Sequence, residues 1–355
     1  MSDYNNAVSG TDAEVGHVTA AKVKNTLLLD AEREEDIERA AQIIRQGGLV
    51  AFPTETVYGL GASALDADAA RRIYAAKGRP SDNPLIIHLA RAEDAEEYAV
   101  TSELYYKLAQ RFMPGPITVI LPKKDIIPLS VTGGLPTVAV RVPLNIHAHK
   151  LISAVGVPVA APSANISGRP SATCARYCLE DFDGRIDAVL DGGDAAFGLE
   201  STIVKPDGDG LRLLRPGAVT PEELSSLGVP VTVDPSVTER FEGTPEAPGM
   251  KYRHYAPRAE VIILDGADRD VYDYLRDKRD CGPGAESLGS RSDPLEQAHL
   301  LFRLLREFDE RGDVSTIYAR MPSRDGAGLA VFNRLIKAAG YRILQLPPID
   351  TKVKN

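Results

Sequence analysis

At 355 residues the chain is long enough for two domains, and a hydrophobic fraction of 43% is ample for packed cores. A net charge of −9 argues against a surface that attracts nucleic acid through bulk electrostatics, so any local cluster of cations carries information. Cys174, Cys178 and Cys281 form no CxxC pair and have no histidine at zinc-finger spacing, and no apolar run approaches the ~20 residues of a membrane span. Structural zinc and membrane insertion are therefore not expected. With no signal-peptide pattern, a reducing cytoplasmic setting is.

Residues 1–24 are polar, small and aperiodic and read as a mobile extension. From Asp36 to Gln46, Ile37, Ala40, Ala41 and Ile44 share one helical face, with Gly47-Gly48 as the stop and a buried strand, Leu49 to Phe52, directly after it. A hydroxyl-rich turn follows. Asp66 opens a second helix whose stripe is Ala70, Ile73 and Tyr74, and Lys77-Gly78 closes it. Lys77 and Arg79 then stand in a Gly/Pro-shaped loop, an arrangement suited to an anion.

In the strand Pro84 to Leu89, alternation sends Leu85, Ile87 and Leu89 to one face and Ile86 with His88 to the other. A lone strand histidine is commonly a satisfied structural residue, so a ligand role for His88 needs support from elsewhere. A helix over Ser102–Phe112 and a strand Ile117–Leu121 lead to Thr137–Val142. There Thr137, Ala139 and Arg141 oppose three valines, and a guanidinium in so apolar a strand is costly unless it is paired or meets a ligand. Both readings stay open.

After a helix near Ala148–Val155, the strand Val157–Ala161 ends in Pro162-Ser-Ala-Asn-Ile-Ser-Gly168. These small donors suit phosphate or carboxylate binding, and are also ordinary turn chemistry. Leu199–Val204 and Leu211–Gly217 read as paired strands around Asp207-Gly208. The domain of residues 25–242 is followed by a Pro/Gly-rich connector, 243–258, holding Lys251-Tyr-Arg-His-Tyr255. Lys251, Tyr252, Arg253 and Tyr255 are expected to form a lid. Residues 259–355 alternate strand and helix, as in a small parallel α/β domain. In the helix Leu295–Phe308, Leu300, Leu301, Leu304 and Leu305 are expected to face inward.

The stretches Pro53-Thr-Glu-Thr-Val-Tyr-Gly-Leu-Gly61, Lys77-Gly-Arg-Pro80 with Asn83-Pro-Leu85, Arg141-Val-Pro143, Ser163–Gly168, Ser201-Thr202, Arg215-Pro-Gly217 and Pro248–Pro257 occur in a fixed order. Together they resemble the YrdC-like superfamily, in particular its two-domain members, the long form of threonylcarbamoyl-adenylate synthase. Ser287-Leu-Gly289 and Asn333-Arg-Leu335 with Lys337-Ala-Ala339 resemble that family's second domain.

The resemblance implies an α/β fold: a YrdC-like open twisted mixed sheet with helices around a cationic cleft, plus a smaller Rossmann-like parallel C-terminal domain. It implies an enzyme, a nucleotidyltransferase joining L-threonine, bicarbonate and ATP into threonylcarbamoyl-AMP and pyrophosphate. The product would feed threonylcarbamoyladenosine formation at tRNA position 37, by hand-over to a tRNA threonylcarbamoyl transferase; direct tRNA binding is left open. By the same resemblance, ATP would meet Lys77, Arg79, Asn83, Thr137, Ser163, Ser171, Arg215 and a connector tyrosine, with Tyr255 preferred to Tyr252. Threonine would meet Thr54, His88, Arg141, the backbone of Ala161 and Ser201. Lys77, Arg79 and Arg141 would be catalytic through charge and positioning. Mg2+ would arrive with ATP, since no carboxylate cluster offers a ready-made site.

Three rivals are weaker. Gly59-Leu-Gly61-Ala-Ser-Ala64 mimics a dinucleotide fingerprint but follows its strand too distantly. A P-loop kinase lacks its glycine-rich lysine motif, and a serine hydrolase lacks a nucleophile elbow at Ser163. A different class, a non-enzymatic RNA-binding or ribosome-associated module, could use Lys77, Arg79, Lys251, Arg253 and Tyr255 on the same cationic face.

Overall fold

The computed structural model describes residues 25–251, 254–279, 285–288 and 293–347, so the expected extension at 1–24 and the lid residues Tyr252 and Arg253 lie outside the described residues. The chain opens with β1 (Leu27–Asp30), α1 (Glu34–Arg45), β2 (Val50–Phe52), β3 (Gly59–Ser63), α2 (Ala67–Lys77) and β4 (Ile86–His88). Next come α3 (Ala95–Tyr98), α4 (Glu103–Phe112), β5 (Ile117–Pro122), α5 (Leu129–Thr132), β6 (Thr137–Arg141), α6 (Ile146–Val155) and β7 (Val159–Ala161). The first half closes with α7 (Ala175–Phe182), β8 (Ala188–Asp191), the hairpin β9 (Thr202–Asp207) and β10 (Gly210–Arg215), α8 (Pro221–Ser225) and β11 (Val231–Val233). The second half holds β12 (Glu260–Asp265), α9 (Asp268–Arg279), β13 (Ala285–Ser287), α10 (Pro294–Arg311), β14 (Thr316–Arg320), α11 (Gly326–Ala338) and β15 (Ile343–Gln345).

β1 to β11 form one mixed sheet in the order β1-β8-β2-β3-β7-β4-β6-β5-β9-β10-β11. The later strands form a second, all-parallel sheet, β13-β14-β12-β15. The expected mixed and parallel layers are both present. One apolar cluster runs from Tyr58 and Ile87 through Tyr255 and Phe302 to Ile317 and Leu335, so the two halves share a core.

Local chemistry sets the elements that matter for the site. Asp66 caps α2 by accepting from the amides of Asp68 and Ala69, and Gly78 ends it at φ 61°, a left-handed conformation that a side chain would strain. Lys77 is thereby held on the last turn with its side chain turned inward. In β4, Leu85, Ile87 and Leu89 join the main core as alternation predicts, which turns His88 to the other face.

Two expectations need correction. The stretch after β2, read as a hydroxyl-rich turn, contains strand β3, antiparallel to β2 with Val50 opposite Gly61. Its glycines serve close packing: a Cβ on Gly61 would stand 2.8 Å from the Phe52 ring and 2.9 Å from Val159 Cγ1. That role removes the dinucleotide reading. In α10 the buried face is Ala298, Leu301, Phe302, Leu305, Arg306 and Asp309, with Leu300 and Leu304 only half-buried. The helix is rotated because it packs on both halves of the molecule, and a buried ion pair between Arg306 and Asp181 holds that face, 2.8 Å apart.

Candidate active site

Strand register brings the two most informative residues side by side. β4 runs parallel to β6 with His88 opposite Arg141, and antiparallel to β7 with Ile86 opposite Ala161. All of these line one cleft of about 650 Å3, counting its open mouth. Thr54 joins them from the turn after β2, Lys77 and Arg79 from the end of α2, and Ser163 from the loop after β7. Arg215, at the end of β10, and Tyr255, in the connector, line it too.

Arg141 answers the question its strand position raised. Its Nη2 donates to Glu55 Oε1 at 2.7 Å and to Thr56 Oγ1 at 2.9 Å, and the other Glu55 oxygen accepts from the Leu144 amide at 3.1 Å. The residue is internally paired and also lines the cleft, so the two readings are compatible. Its Nε is buried with no hydrogen-bond partner among the described residues. His88 is 3% exposed, with Nδ1 3.3 Å from the Val159 carbonyl. Burial first, then the Arg141 charge, lowers its pKa to about 3, so the ring is neutral at physiological pH.

Lys77 is 1% exposed and donates to the carbonyls of Ser163 at 2.6 Å and Asn165 at 2.5 Å. Burial, then the Arg79 charge, pushes its pKa well below the usual lysine value. Arg79 donates to the carbonyls of Asn83 and Pro84, each at 3.1 Å. Arg215 donates through Nε and Nη2 to the Ser201 carbonyl and Oγ, each at 3.0 Å, and burial lowers its pKa to about 10. Three cations converging in a half-closed cleft create a strong site for an anion.

Asn83, Ser201 and Ser171 do not line the cleft but pack behind residues that do. Asn83 is buried behind Arg79, and its Oδ1 has no partner among the described residues. Ser201 bridges Thr118 and Arg215, and Ser171 donates to Glu200 Oε1. Thr137 is half-buried at the far end of β6, about 13 Å along the strand from Arg141 at the usual rise per residue, and does not line the cleft. Tyr255 is buried at φ 62° with its ring stacked on Phe302, centroids 5.1 Å apart, and burial pushes its pKa up to about 12. Lys251 reaches Asp82 at 3.3 Å, tying the connector to the loop after α2.

Glu55, Asn165, Glu200 and His254 were missed as site residues. Glu55, Asn165 and His254 stood inside quoted motifs and Glu200 just before one, but nothing in the spacing marks a carboxylate as the partner of an arginine on a distant strand. Glu200 lines the cleft with Oε1 on Ser171 and Oε2 on Arg334. Burial raises its pKa, but Arg334, Arg215 and Ser171 outweigh it and hold the carboxyl below the usual range. No group of three or more His, Cys, Asp or Glu poised to hold a metal occurs among the described residues.

Comparison with known proteins gives the family. Residues 42–217 match the Sua5/YciO/YrdC family model, described as telomere recombination, and residues 219–340 match the model described as threonylcarbamoyl-AMP synthase, C-terminal domain. The threonylcarbamoyl-AMP synthase of Pyrococcus abyssi is 46% identical over 333 residues, 89% of this chain and 98% of that protein. The chain belongs to the threonylcarbamoyl-AMP synthase family. The family member of Bacillus subtilis is 41% identical over 331 residues, 88% of this chain and 95% of that protein. The crystal structure of P. abyssi Sua5 complexed with L-threonine superposes with a TM-score of 0.86 at 45% identity, covering 91% of this chain and all of that one.

Membership in a synthase family fits the burial of the cations. A module that grips RNA on an open face would expose Lys77 and Arg79, which here are 1% and 8% exposed. Among the described residues no helix is long and apolar enough to cross a membrane.

Proposed function

We propose that this cleft forms threonylcarbamoyl-AMP from L-threonine, bicarbonate and ATP, with release of pyrophosphate. The observation that carries the residue assignments is the His88–Arg141 register beside three cations in one enclosed space. Arg141 is assigned to the threonine carboxylate, which its remaining donors suit, with Glu55 fixing the guanidinium plane. Thr54, neutral His88, the Ala161 backbone and Ser201 complete the amino-acid side. Lys77, Arg79, Ser163, Arg215 and Tyr255 take the nucleotide, with Asn83, Thr137 and Ser171 supporting it.

The threonine amine, deprotonated to its neutral form, attacks bicarbonate with loss of water, or carbon dioxide derived from it with loss of the amine proton, to give the carbamate. An oxygen of the resulting carbamate then attacks the α-phosphorus of ATP, and pyrophosphate leaves with the electrons of the broken P–O bond. Lys77, Arg79 and Arg215 neutralise the charge that builds on the phosphates during displacement, and burial strengthens that effect. Glu200 already gives both oxygens to Ser171 and Arg334, so magnesium is expected to be held by the triphosphate, where it would supply further charge neutralisation. The connector, whose Pro248, Gly249, His254 and Tyr255 line the cleft, is assigned the role of a lid.

A mixed anhydride hydrolyses readily in water. That favours direct hand-over to a tRNA threonylcarbamoyl transferase in the cytoplasm, for modification of adenosine 37. The reading is tested by pyrophosphate release from purified protein with ATP, omitting threonine or bicarbonate in turn. Release that needs all three supports it, and release indifferent to threonine overturns it.

A further inference from the structure

The second domain lines up a row of polar side chains behind the cleft. On the otherwise apolar helix α11, Asn333, Arg334 and Lys337 are 1%, 0% and 4% exposed. Asn333 donates to the Val237 carbonyl at 2.6 Å and accepts from Arg334 Nη1 at 2.9 Å, while Lys337 donates to the Gly249 carbonyl of the connector. Arg334 also reaches out of its helix to the catalytic half. Nε meets Glu200 Oε2 at 2.9 Å, Nη2 meets the Glu200 carbonyl at 3.3 Å, and Nη1 meets the Pro216 carbonyl at 2.8 Å. Its guanidinium carbon also lies 5.7 Å from the centre of the Tyr255 ring.

Residues 200 and 216 flank the pair that the cleft uses. Glu200 precedes Ser201, and Pro216 follows Arg215, whose guanidinium is fixed by Ser201. A single planar fork therefore pins both outer ends of the Ser201–Arg215 junction and leaves Glu200 Oε1 free to orient Ser171. The backbones are also jammed together there: a Cβ on Gly217 would lie 2.4 Å from the Thr202 amide nitrogen.

We infer that Arg334 of the C-terminal domain is a positioning residue for the nucleotide side of the cleft, acting through Glu200 and Pro216 on Arg215. The inference rests on the nucleotide role given to Arg215 above. A mere interdomain tether would act on the whole molecule alike. A positioning role falls on ATP and on the rate before threonine: of the amino-acid side only Ser201 adjoins this junction, while Arg141 is held by Glu55.

The test compares wild type, Arg334→Lys, the Arg334→Gln/Glu200→Gln pair and the exposed control Arg303→Ala. Pyrophosphate release gives kcat and both KM values, calorimetry gives ATP affinity without turnover, and thermal unfolding reports the fold. Lysine keeps the charge but loses the fork, so Arg334→Lys is expected to lower kcat/KM for ATP ten- to hundredfold and ATP affinity at least fivefold. KM for threonine changes less than threefold, and Arg303→Ala matches wild type. The double variant replaces the ion pair by a neutral hydrogen-bonded one, and is expected to unfold near the wild-type temperature yet stay slow. It carries the comparison if Arg334→Lys does not fold. ATP affinity and rate within threefold of wild type in a folded variant, or equal losses for both substrates, would overturn the inference. A wild type without threonine-dependent release would instead sink the assigned reaction, with the calorimetric arm still reading the role of Arg334.

Discussion

Arg141 on β6 and Glu55 in the turn after β2 lie 86 residues apart in sequence and meet at 2.7 Å, both almost fully buried. The pair holds a guanidinium along the amino-acid side of the cleft while leaving its Nε without a protein partner among the described residues. Arg141→Lys keeps a charge but loses the planar fork. It is expected to raise KM for threonine at least tenfold, about 1.4 kcal/mol, with KM for ATP nearly unchanged. Glu55→Gln, which loosens the fork without removing it, is expected to have a smaller effect of the same sign. Steady-state kinetics with each substrate varied in turn checks both.

His88 gives a pH signature. Its folded pKa near 3 lies below the ordinary 6.5, so between those values the unfolded chain binds more protons than the folded one. Stability attributable to this group is fully present above about pH 6.5 and is lost as pH falls toward 3. Denaturant unfolding between about pH 6.5 and 4 is expected to show wild type losing on the order of 2–3 kcal/mol more than His88→Gln. Parallel curves would contradict the buried, neutral ring.

Lys337 predicts a shift at the other end of the scale. Burial, then the charges of Arg334 and Arg215, lowers its pKa from 10.5 to about 7, so the unfolded chain holds the extra proton between those values. Stability should rise with pH from about 7 to 9, by about 1–2 kcal/mol relative to Lys337→Met. Urea midpoints of the two proteins across that range give the measurement.

Gly217 sits where two backbones touch, against Thr202 and the Glu200 carbonyl. Gly217→Ala has no flexible neighbour to displace and is expected to cost about 2–4 kcal/mol of stability, lowering the thermal midpoint. At permissive temperature its activity loss should fall chiefly on ATP through Arg215, with a smaller effect on threonine through Ser201, which Arg215 holds. An alanine variant as stable as wild type would show that the strands separate easily.

Much of this site was legible in the sequence because alternation and capping are local rules. His88 and Arg141 could be placed on strand faces, and Lys77 on a helix end, from their neighbours alone. The partners that make those residues usable were not legible. Glu55 lies between two threonines in a turn, and Glu200 precedes a strand; each finds its arginine across more than 80 positions, which no periodic pattern encodes. Arg306, Arg334 and Lys337 carry no local signal of burial, yet they are buried because α10 and α11 pack on both halves of the molecule. Thr137 shares a strand face with Arg141, but a face extends farther than a cleft.

The central claim is that a carbonyl taken from bicarbonate joins threonine to AMP in this cleft. Mass spectrometry of the product formed from ATP, threonine and heavy-isotope bicarbonate tests it most directly. The predicted product contains threonine, AMP and one labelled carbonyl, and disappears with Lys77→Ala in a folded protein. An adenylate of threonine without the label, or no adenylate of threonine at all, would contradict the account.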